Sequence, residues 1–237
     1  MRARERRTRI RRLCTAGELE TVFQPMIELG SKHPVAFEAL TRFPSENRST
    51  REWFADATEL GVGLELELAA VRSALAHLDE IPHGTRLSIN VSPAVAVTDE
   101  LFDLVAPVAV RLIIELTEHD PVDDYDALGA ALSRLRTMGA LVAIDDVGAG
   151  FATLRHILRL SPDILKLDLS LTHAVVTDSG SRALTSALID FADNTGVLVA
   201  AEGIETEGEL EVLRELGVDQ GQGYFLGPPE RLKAHLS

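Results

Sequence analysis

The chain has 237 residues, of which 46% are hydrophobic and 25% charged, a composition typical of folded globular proteins and not of disordered or fibrous chains. No apolar run approaches the roughly 18 residues of a membrane-spanning helix, and the arginine-rich start lacks the apolar stretch of a signal peptide, so we expect a cytoplasmic protein without membrane insertion. Cys14 is the single cysteine, which excludes an internal disulfide, and the seven histidines form no zinc-binding pattern. Any metal ion must therefore be held mainly by oxygen.

Charge is distributed unevenly along the chain. The net charge is −14, although residues 1–12 contain seven arginines against Glu5, so the remainder is more acidic still. Such a body repels phosphate backbones, which argues against DNA as a partner and indicates that an anionic substrate would need divalent metal ions. Residues 1–18 are predicted to form a basic, solvated linker helix that leads from an upstream domain, with RNA or lipid binding as the alternative. Residues 19–237 are predicted to form the functional domain.

Short β-branched apolar runs alternate with helical patterns from residue 21 onward, which predicts one α/β domain. In chain order the predicted strands are 21–29, 34–43, 86–92, 111–118, 141–147, 163–168, 197–203 and a segment around Asp219–Tyr224. Only Gly30–His33 separates the first two strands, which is too short for a parallel crossover and predicts an antiparallel hairpin. Residues 44–85 have room for two helices. A later helix is opened by a capping box of Thr206 and Glu209 and closed by Gly217.

Eight strands with intervening helices in about 220 residues match the size and rhythm of a (β/α)8 barrel. The short first connection departs from that plan. We therefore predict an α/β fold, a modified TIM barrel with an antiparallel first strand. A doubly wound open sheet is the alternative, since periodicity alone does not separate the two.

Polar residues stand at the strand ends that a parallel barrel gathers around its active site. They are Glu38, Asn90, Glu115, Glu118, Asp145, Asp146, Lys166, Asp168, Glu202 and Gln222. Any one of them has an ordinary explanation as a helix cap or a solvated strand end, but together they would crowd many polar groups around one low-dielectric mouth. A pair of Mg²⁺ or Mn²⁺ ions would hold them together, because these cations accept carboxylate and amide oxygens.

Two such ions indicate cleavage of a phosphodiester. Adjacent Asp145 and Asp146 can serve two ions where a strand end bends, and two ions about 4 Å apart are a common clamp for phosphoester hydrolysis. Lys166 would then orient the attacking water or stabilise charge on the phosphate. A single-metal enolase-type site is the alternative, since it also combines barrel acids with a lysine.

Eight short motifs run in order along residues 20–230. They are VFQP, FEALTR, SINVSP, IELTE, IDDVGAGFATL, DILKLD, AAEGIET and GQGYFLG. This series resembles the EAL domain family, whose signature corresponds to Glu38-Ala39-Leu40. The resemblance implies a bacterial signalling phosphodiesterase that opens cyclic di-GMP to linear 5′-pGpG through a metal-activated water, with Mg²⁺ or Mn²⁺ as cofactor. It also implies a barrel with a reversed first strand.

The resemblance assigns roles to individual residues. The implied metal ligands are Glu38, Asn90, Glu115, Asp145 and Asp146. The implied catalytic residues are Glu38, Lys166 as the water-orienting lysine, Glu202 and Gln222. The implied substrate contacts are Gln24, Arg42 and Asp168. Glu118 matches the glutamate that steadies the loop 146–153, which couples metal binding to dimerisation in relatives.

Two segments depart from the family pattern. The loop reads DDVGAGF where relatives usually have DDFGTGY, so Val147 removes an aromatic contact. The usual FIPLAE segment is replaced by PSENRSTREWFADATELGVG, which is predicted to shorten one rim of the substrate groove. An active enzyme is the leading hypothesis, with a homodimer and an upstream sensor domain as implied partners. The alternative is an EAL module that binds cyclic di-GMP, or only a partner protein, without cleavage.

Overall fold

The computed structural model describes residues 3–44, 48–116, 122, 124–148 and 154–236, with the side chains of residues 154–156 excepted. Within these residues eight strands form one closed barrel in sequence order. The strands are β1 (Glu20–Glu28), β2 (Pro34–Arg42), β3 (Arg86–Val91), β4 (Leu112–Leu116), β5 (Leu141–Val147), β6 (Ile164–Leu167), β7 (Leu198–Ala201) and β8 (Gln220–Gly221). All eight lie within the segments predicted as strands or within one residue of them.

The predicted reversal of the first strand is confirmed. β1 pairs antiparallel with both β2 and β8, and every other neighbouring pair is parallel. The hairpin between β1 and β2 is closed by hydrogen bonds from the Glu28 amide to the His33 carbonyl (2.9 Å) and from the Lys32 amide to the Glu28 carbonyl (2.8 Å). Closure of the barrel excludes the open doubly wound sheet.

Helices surround the barrel and supply its parallel crossovers. They are α1 (Ala3–Ala16), α2 (Thr50–Glu59), α3 (Gly63–Leu75), α4 (Pro93–Ala96), α5 (Asp99–Val105), α6 (Tyr125–Thr137), α7 (Leu154–Leu160), α8 (Leu169–Ala174), α9 (Ser179–Thr195), α10 (Glu207–Leu216) and α11 (Leu232–His235). Residues 44–85 contain two helices, α2 and α3, as predicted. The capping box of Thr206 and Glu209 opens α10, and Gly217 closes it in a left-handed conformation. No described helix has the length and apolar character needed to cross a bilayer.

The barrel interior holds two layers of opposite chemistry. The lower layer is a buried apolar cluster of Met26, Ala36, Ile113, Ala143, Ile164 and Ala200. Because side chains alternate along a strand, the next inward positions toward the carboxyl ends of the parallel strands lie two residues further on. Those positions are Glu38, Glu115, Asp145, Lys166 and Glu202. An apolar floor therefore carries a ring of charged side chains at the active-site end of the barrel.

The arginine-rich helix α1 packs against α2 and α3, two of the helices that surround the barrel. Ile10 and Leu13 are fully buried in a cluster that also contains Trp53 and Leu66 of the neighbouring helices. This differs from the solvated helix expected from the charge run, because two apolar residues spaced i, i+3 are enough to give one buried face while arginines occupy the others. The predicted domain boundary after residue 18 stays a prediction.

Candidate active site

Glu38 stands at the edge of the charged ring and is held by two amide side chains. Its Oε1 accepts a hydrogen bond from Asn90 Nδ2 (2.7 Å) and its Oε2 accepts one from Gln222 Nε2 (2.6 Å). Gln222 Nε2 also donates to Gln24 Oε1 (2.9 Å). The strand register explains this grouping, since Gln24 lies opposite Glu38 across the β1–β2 pair. β1, β2, β3 and the end of β8 thus fix one carboxylate in place.

Lys166 occupies the centre of the ring and is completely buried. Its ammonium nitrogen lies 2.5 Å from Glu202 Oε1, 2.7 Å from Glu115 Oε2, 3.3 Å from Asp145 Oδ1 and 3.6 Å from Glu38 Oε2. Four carboxylates therefore share one ammonium group, an excess of three negative charges when all are ionised. Such an excess is costly in a dry interior unless protons or further cations compensate it.

The pKa values of the ring reflect this excess. Burial raises the pKa of Glu115 to about 8, with a contribution from the charge of Glu38 and against the opposing effect of Lys166. Burial likewise raises the pKa of Glu202 well above its usual range. Burial by itself would lower the pKa of Lys166, but the surrounding carboxylates outweigh it and keep the lysine protonated. A charged lysine surrounded by carboxyl groups with raised pKa values is an arrangement found most often at functional sites.

The end of β5 bends so that two consecutive acids face the site region. The pairing of β5 with β6 shifts register between Ile144 and Val147, and Asp146 has a φ of 55°, in the left-handed region that non-glycine residues seldom adopt. One carboxylate oxygen from each of Asp145, Asp146 and Glu202 can be chosen so that all lie within 4.8 Å of one another. Ordinary pleating would send Asp145 and Asp146 to opposite faces, so the bend is what brings them together.

The residues present fit divalent cations. Among the described residues, Asp145 Oδ1 and Gln222 Oε1 are buried and accept no hydrogen bond, although Asp145 Oδ1 lies 3.3 Å from the Lys166 ammonium nitrogen, and the ring carries uncompensated negative charge. Hard oxygen donors from carboxylates and an amide are the set that Mg²⁺ and Mn²⁺ accept, and sulfur or imidazole is absent from the described ring. Asp145, Asp146 and Glu202 would hold one ion, and Glu38, Asn90 and Glu115 supply further oxygens beside them.

A groove of about 700 Å³ opens beside these acids. Asn90, Asp145 and Asp146 line the groove, and so does Arg42 at the end of β2. Within the described part of the chain, the Arg42 guanidinium donates one hydrogen bond, to the neighbouring Thr41 carbonyl (3.2 Å). A guanidinium in a groove beside an acidic centre suits a phosphorylated ligand, because arginine binds phosphate through paired hydrogen bonds.

Not every predicted residue joins the ring. Asp168 follows β6, but its Oδ1 accepts the Ser170 amide (2.9 Å) and caps α8. The Asp168 carboxylate is therefore a helix cap, which is the ordinary role that the sequence analysis allowed for any single acid at a strand end. The predicted contact of Asp168 with substrate stays a prediction. Glu118 and most of the loop that it was expected to steady lie outside the described residues.

Ser88 and Glu67 were not among the site residues predicted from the sequence; Ser88 contacts the ring, and Glu67 anchors the end of β3 beside it. Ser88, fully buried on β3, donates from Oγ to Glu115 Oε1 (2.5 Å). Glu67 on α3 accepts hydrogen bonds from the Ser92 amide and the Ser92 hydroxyl, both at 2.9 Å, just beyond Asn90. Strand alternation offers a signal for Ser88, since it shares the inward face with Asn90. Nothing in the sequence joins Glu67 to Ser92, which is 25 residues away.

The chain belongs to the EAL domain family, because the family model of the EAL domain matches residues 7–229. A cyclic di-GMP phosphodiesterase of Pseudomonas aeruginosa is 32% identical over 88% of this chain and 38% of the relative. The cyclic di-GMP phosphodiesterase PdeF of Escherichia coli is 28% identical over 86% of this chain and 29% of the relative. The chain thus spans about a third of the length of the curated relatives that it matches.

Solved structures share the fold over almost the whole chain. The EAL enzyme Bd1971 in its cAMP- and cyclic-di-GMP-bound form superposes with a TM-score of 0.87 at 26% identity, covering 99% of this chain and 68% of that one. Klebsiella pneumoniae BlrP1 in complex with manganese and cyclic di-GMP has a TM-score of 0.79 at 29% identity, covering 90% of this chain and 56% of that one. The family and the modified barrel expected from the motifs are therefore confirmed.

Proposed function

We propose that this chain is a cyclic-di-GMP-specific phosphodiesterase that hydrolyses its substrate to linear 5′-pGpG with the help of Mg²⁺ or Mn²⁺. The observation that carries the proposal is the ring of Glu38, Glu115, Asp145 and Glu202 around buried Lys166, next to a groove that Asp145 also lines. Relatives named as cyclic di-GMP phosphodiesterases support the substrate, and a neighbour bound to manganese and cyclic di-GMP supports the cofactor.

The proposed reaction is attack of water on one phosphorus atom. A phosphorus–oxygen bond to water forms, the bond to the 3′-oxygen breaks, and that oxygen leaves with a proton as the 3′-hydroxyl of the product. The divalent cations, when bound, would lower the pKa of the water and neutralise charge on the phosphate. Glu38, Asn90, Glu115, Asp145 and Asp146 would hold them.

The protein's own groups would orient and stabilise the reactants. Lys166, positively charged and directed into the ring, would orient the water and stabilise the negative charge that builds on the phosphate. Glu202 would accept a hydrogen bond from the water or act through the second ion. Gln222 would keep Glu38 in position, since it already donates to that carboxylate.

Substrate recognition would involve the groove wall. Arg42, which lines the groove, would bind a phosphate of the cyclic dinucleotide. Gln24 would contact the substrate from beside Gln222, whose side-chain amide donates a hydrogen bond to Gln24 Oε1. The homodimer and the upstream sensor domain implied by the family stay predictions. The EAL module that binds without cleaving is the competing hypothesis.

The deciding experiment is chromatography of cyclic di-GMP incubated with purified protein and Mg²⁺ or Mn²⁺. We expect metal-dependent formation of pGpG that EDTA prevents and that Glu38→Ala abolishes, with the circular dichroism spectrum unchanged. Glu28→Ala is the matched control, because Glu28 is an exposed glutamate at the other end of the barrel strands. If the wild-type chain binds cyclic di-GMP in calorimetry but leaves it intact, the hypothesis of an enzyme is replaced by that of a non-hydrolysing receptor. Unimpaired turnover by Glu38→Ala would refute the assigned site.

A further inference from the structure

The arginine-rich helix α1 makes a specific contact with α2. Arg6 forms an ion pair with Asp56 of α2, a carboxylate that is only 7% exposed. A second arginine, Arg48, reaches the other oxygen of the same carboxylate at 2.9 Å. Asp56 is thus a buried charge that two guanidinium groups neutralise, one of them contributed by α1. A buried carboxylate of this kind is stable only while its partners stay in place.

Aromatic packing reinforces the same contact. The guanidinium carbons of Arg9 and Arg48 lie 4.8 Å and 4.7 Å from the ring centre of Trp53, which is buried on the face of α2 that carries Asp56. Phe43, the residue after β2, stacks on Trp53 with ring centres 5.0 Å apart and planes inclined by 11°. The cation–π contact of the partly buried Arg9 therefore adds to the attraction between α1 and α2.

The opposite face of α2 is a wall of the groove. Thr50, Arg51, Phe54 and Thr58 all line the groove, whereas Trp53 and Asp56 do not. At the start of α2, Thr50 Oγ1 donates to the Thr41 carbonyl (3.1 Å), which ties the helix to the strand that carries Arg42. The helix therefore has α1 on one side and the groove on the other, so a displacement on the first side changes the shape of the second.

We propose that Arg6 and Asp56 are positioning residues for substrate binding: they hold α2, and with it one wall of the groove, in the place that admits the cyclic dinucleotide. This inference rests on the proposed function. It also gives the arginine-rich segment a role that its composition alone does not indicate. The candidate metal ligands lie on barrel strands or, for Glu202, directly after β7, and none of them lies on α2. A weakened α1–α2 contact should therefore impair substrate binding and leave the metal site and the chemical step unchanged.

The test compares two arginines of the same helix. Arg6→Met removes the charge that reaches Asp56 and keeps most of the side-chain volume. Arg11→Met is the matched control, because Arg11 pairs through Nη2 (2.7 Å) with half-exposed Glu65 of α3 and does not touch α2 in any described contact. Arg6→Lys retains the charge and tests for rescue. Asp56→Asn removes the same ion pair from the other side and is isosteric.

The measurements are KM and kcat for cyclic di-GMP, the affinity for Mn²⁺ by calorimetry without substrate, and the melting temperature. In Arg6→Met and Asp56→Asn we expect KM to rise about fivefold or more with kcat changed by less than about twofold, the pattern of lost substrate binding. Mn²⁺ affinity should equal that of the wild type, Arg6→Lys should recover part of the loss, and Arg11→Met should behave as the wild type.

Two results would overturn the proposal. A KM equal to that of the wild type in Arg6→Met, whatever its melting temperature, would reduce the contact to a structural one. A rise in KM together with a fall in both kcat and Mn²⁺ affinity would mean that the whole barrel is loosened, and not that the contact positions one wall of the groove. A wild-type chain that neither binds nor cleaves cyclic di-GMP would instead refute the proposed function, so the two failures are distinguishable.

Discussion

Replacing Glu115 by glutamine is expected to remove a pH-dependent part of the stability of the metal-free protein. Glu115 is fully buried, accepts hydrogen bonds from Lys166 and Ser88, and has a pKa raised by burial from 4.5 to about 8. Between these two values the folded protein retains a proton that the unfolded chain has released. The stability from this proton is fully present below the unfolded pKa and is lost as the pH rises through the folded pKa.

The magnitude follows from the width of that window. One retained proton changes the free energy of unfolding by about 1.4 kcal/mol per pH unit. From about pH 5 to about pH 8 the wild type should therefore lose about 4 kcal/mol relative to Glu115→Gln, whose amide does not titrate. For a domain of this size that difference corresponds to roughly 10 °C in melting temperature.

The assay is urea and thermal denaturation in EDTA across this pH range. Glu65→Gln is the control, since Glu65 is exposed and its hydrogen bond with Arg11 lowers its pKa, so it should follow the wild type throughout. Saturating Mn²⁺ should raise the wild-type melting temperature more at pH 8 than at pH 5, because the cation binds the ionised form. Parallel stability curves for wild type and Glu115→Gln in EDTA would refute the reasoning.

Two further substitutions test the support of the site. Ser88→Ala should weaken Mn²⁺ binding about tenfold, as measured by electron paramagnetic resonance, because the Ser88 hydroxyl orients the buried candidate ligand Glu115. Ser73→Ala, outside the site, should leave the Mn²⁺ affinity unchanged. Equal Mn²⁺ affinities of Ser88→Ala and the wild type would show that Ser88 does not support the site. Gly223→Ala should lower the free energy of unfolding, measured by urea denaturation, by more than about 2 kcal/mol, since a Cβ at this position would lie 2.2 Å from the backbone of Ile204. Gly208→Ala, at a position of α10 where a Cβ meets no described atom within 4 Å, should leave that free energy unchanged or raise it. Equal effects of the two substitutions would contradict the close approach of Gly223 to Ile204.

Most of the fold could be predicted from the sequence because its signals are local. Short apolar runs located seven strands, the segment around Asp219–Tyr224 was expected to contain the eighth, and the length of Gly30–His33 predicted the reversal of β1. The prediction of a solvated α1 was wrong for one face of that helix. Its charge is obvious in the sequence, whereas Trp53 and Leu66, which share the buried cluster with Ile10 and Leu13, lie 40 or more residues away and leave no local trace.

The candidate site divides in the same way. The sequence by itself determined which residue types stand at the strand ends, since the period of two and the barrel topology bring Glu38, Glu115 and Lys166 to one mouth. Only the tertiary structure decided how they meet. Four carboxylates converge on Lys166, Asp168 caps a helix, and Arg6 reaches Asp56, which is 50 residues away. The physical reason is that strand order fixes which ends are neighbours, while side-chain burial and long-range charge pairing depend on the distances set when the barrel closes.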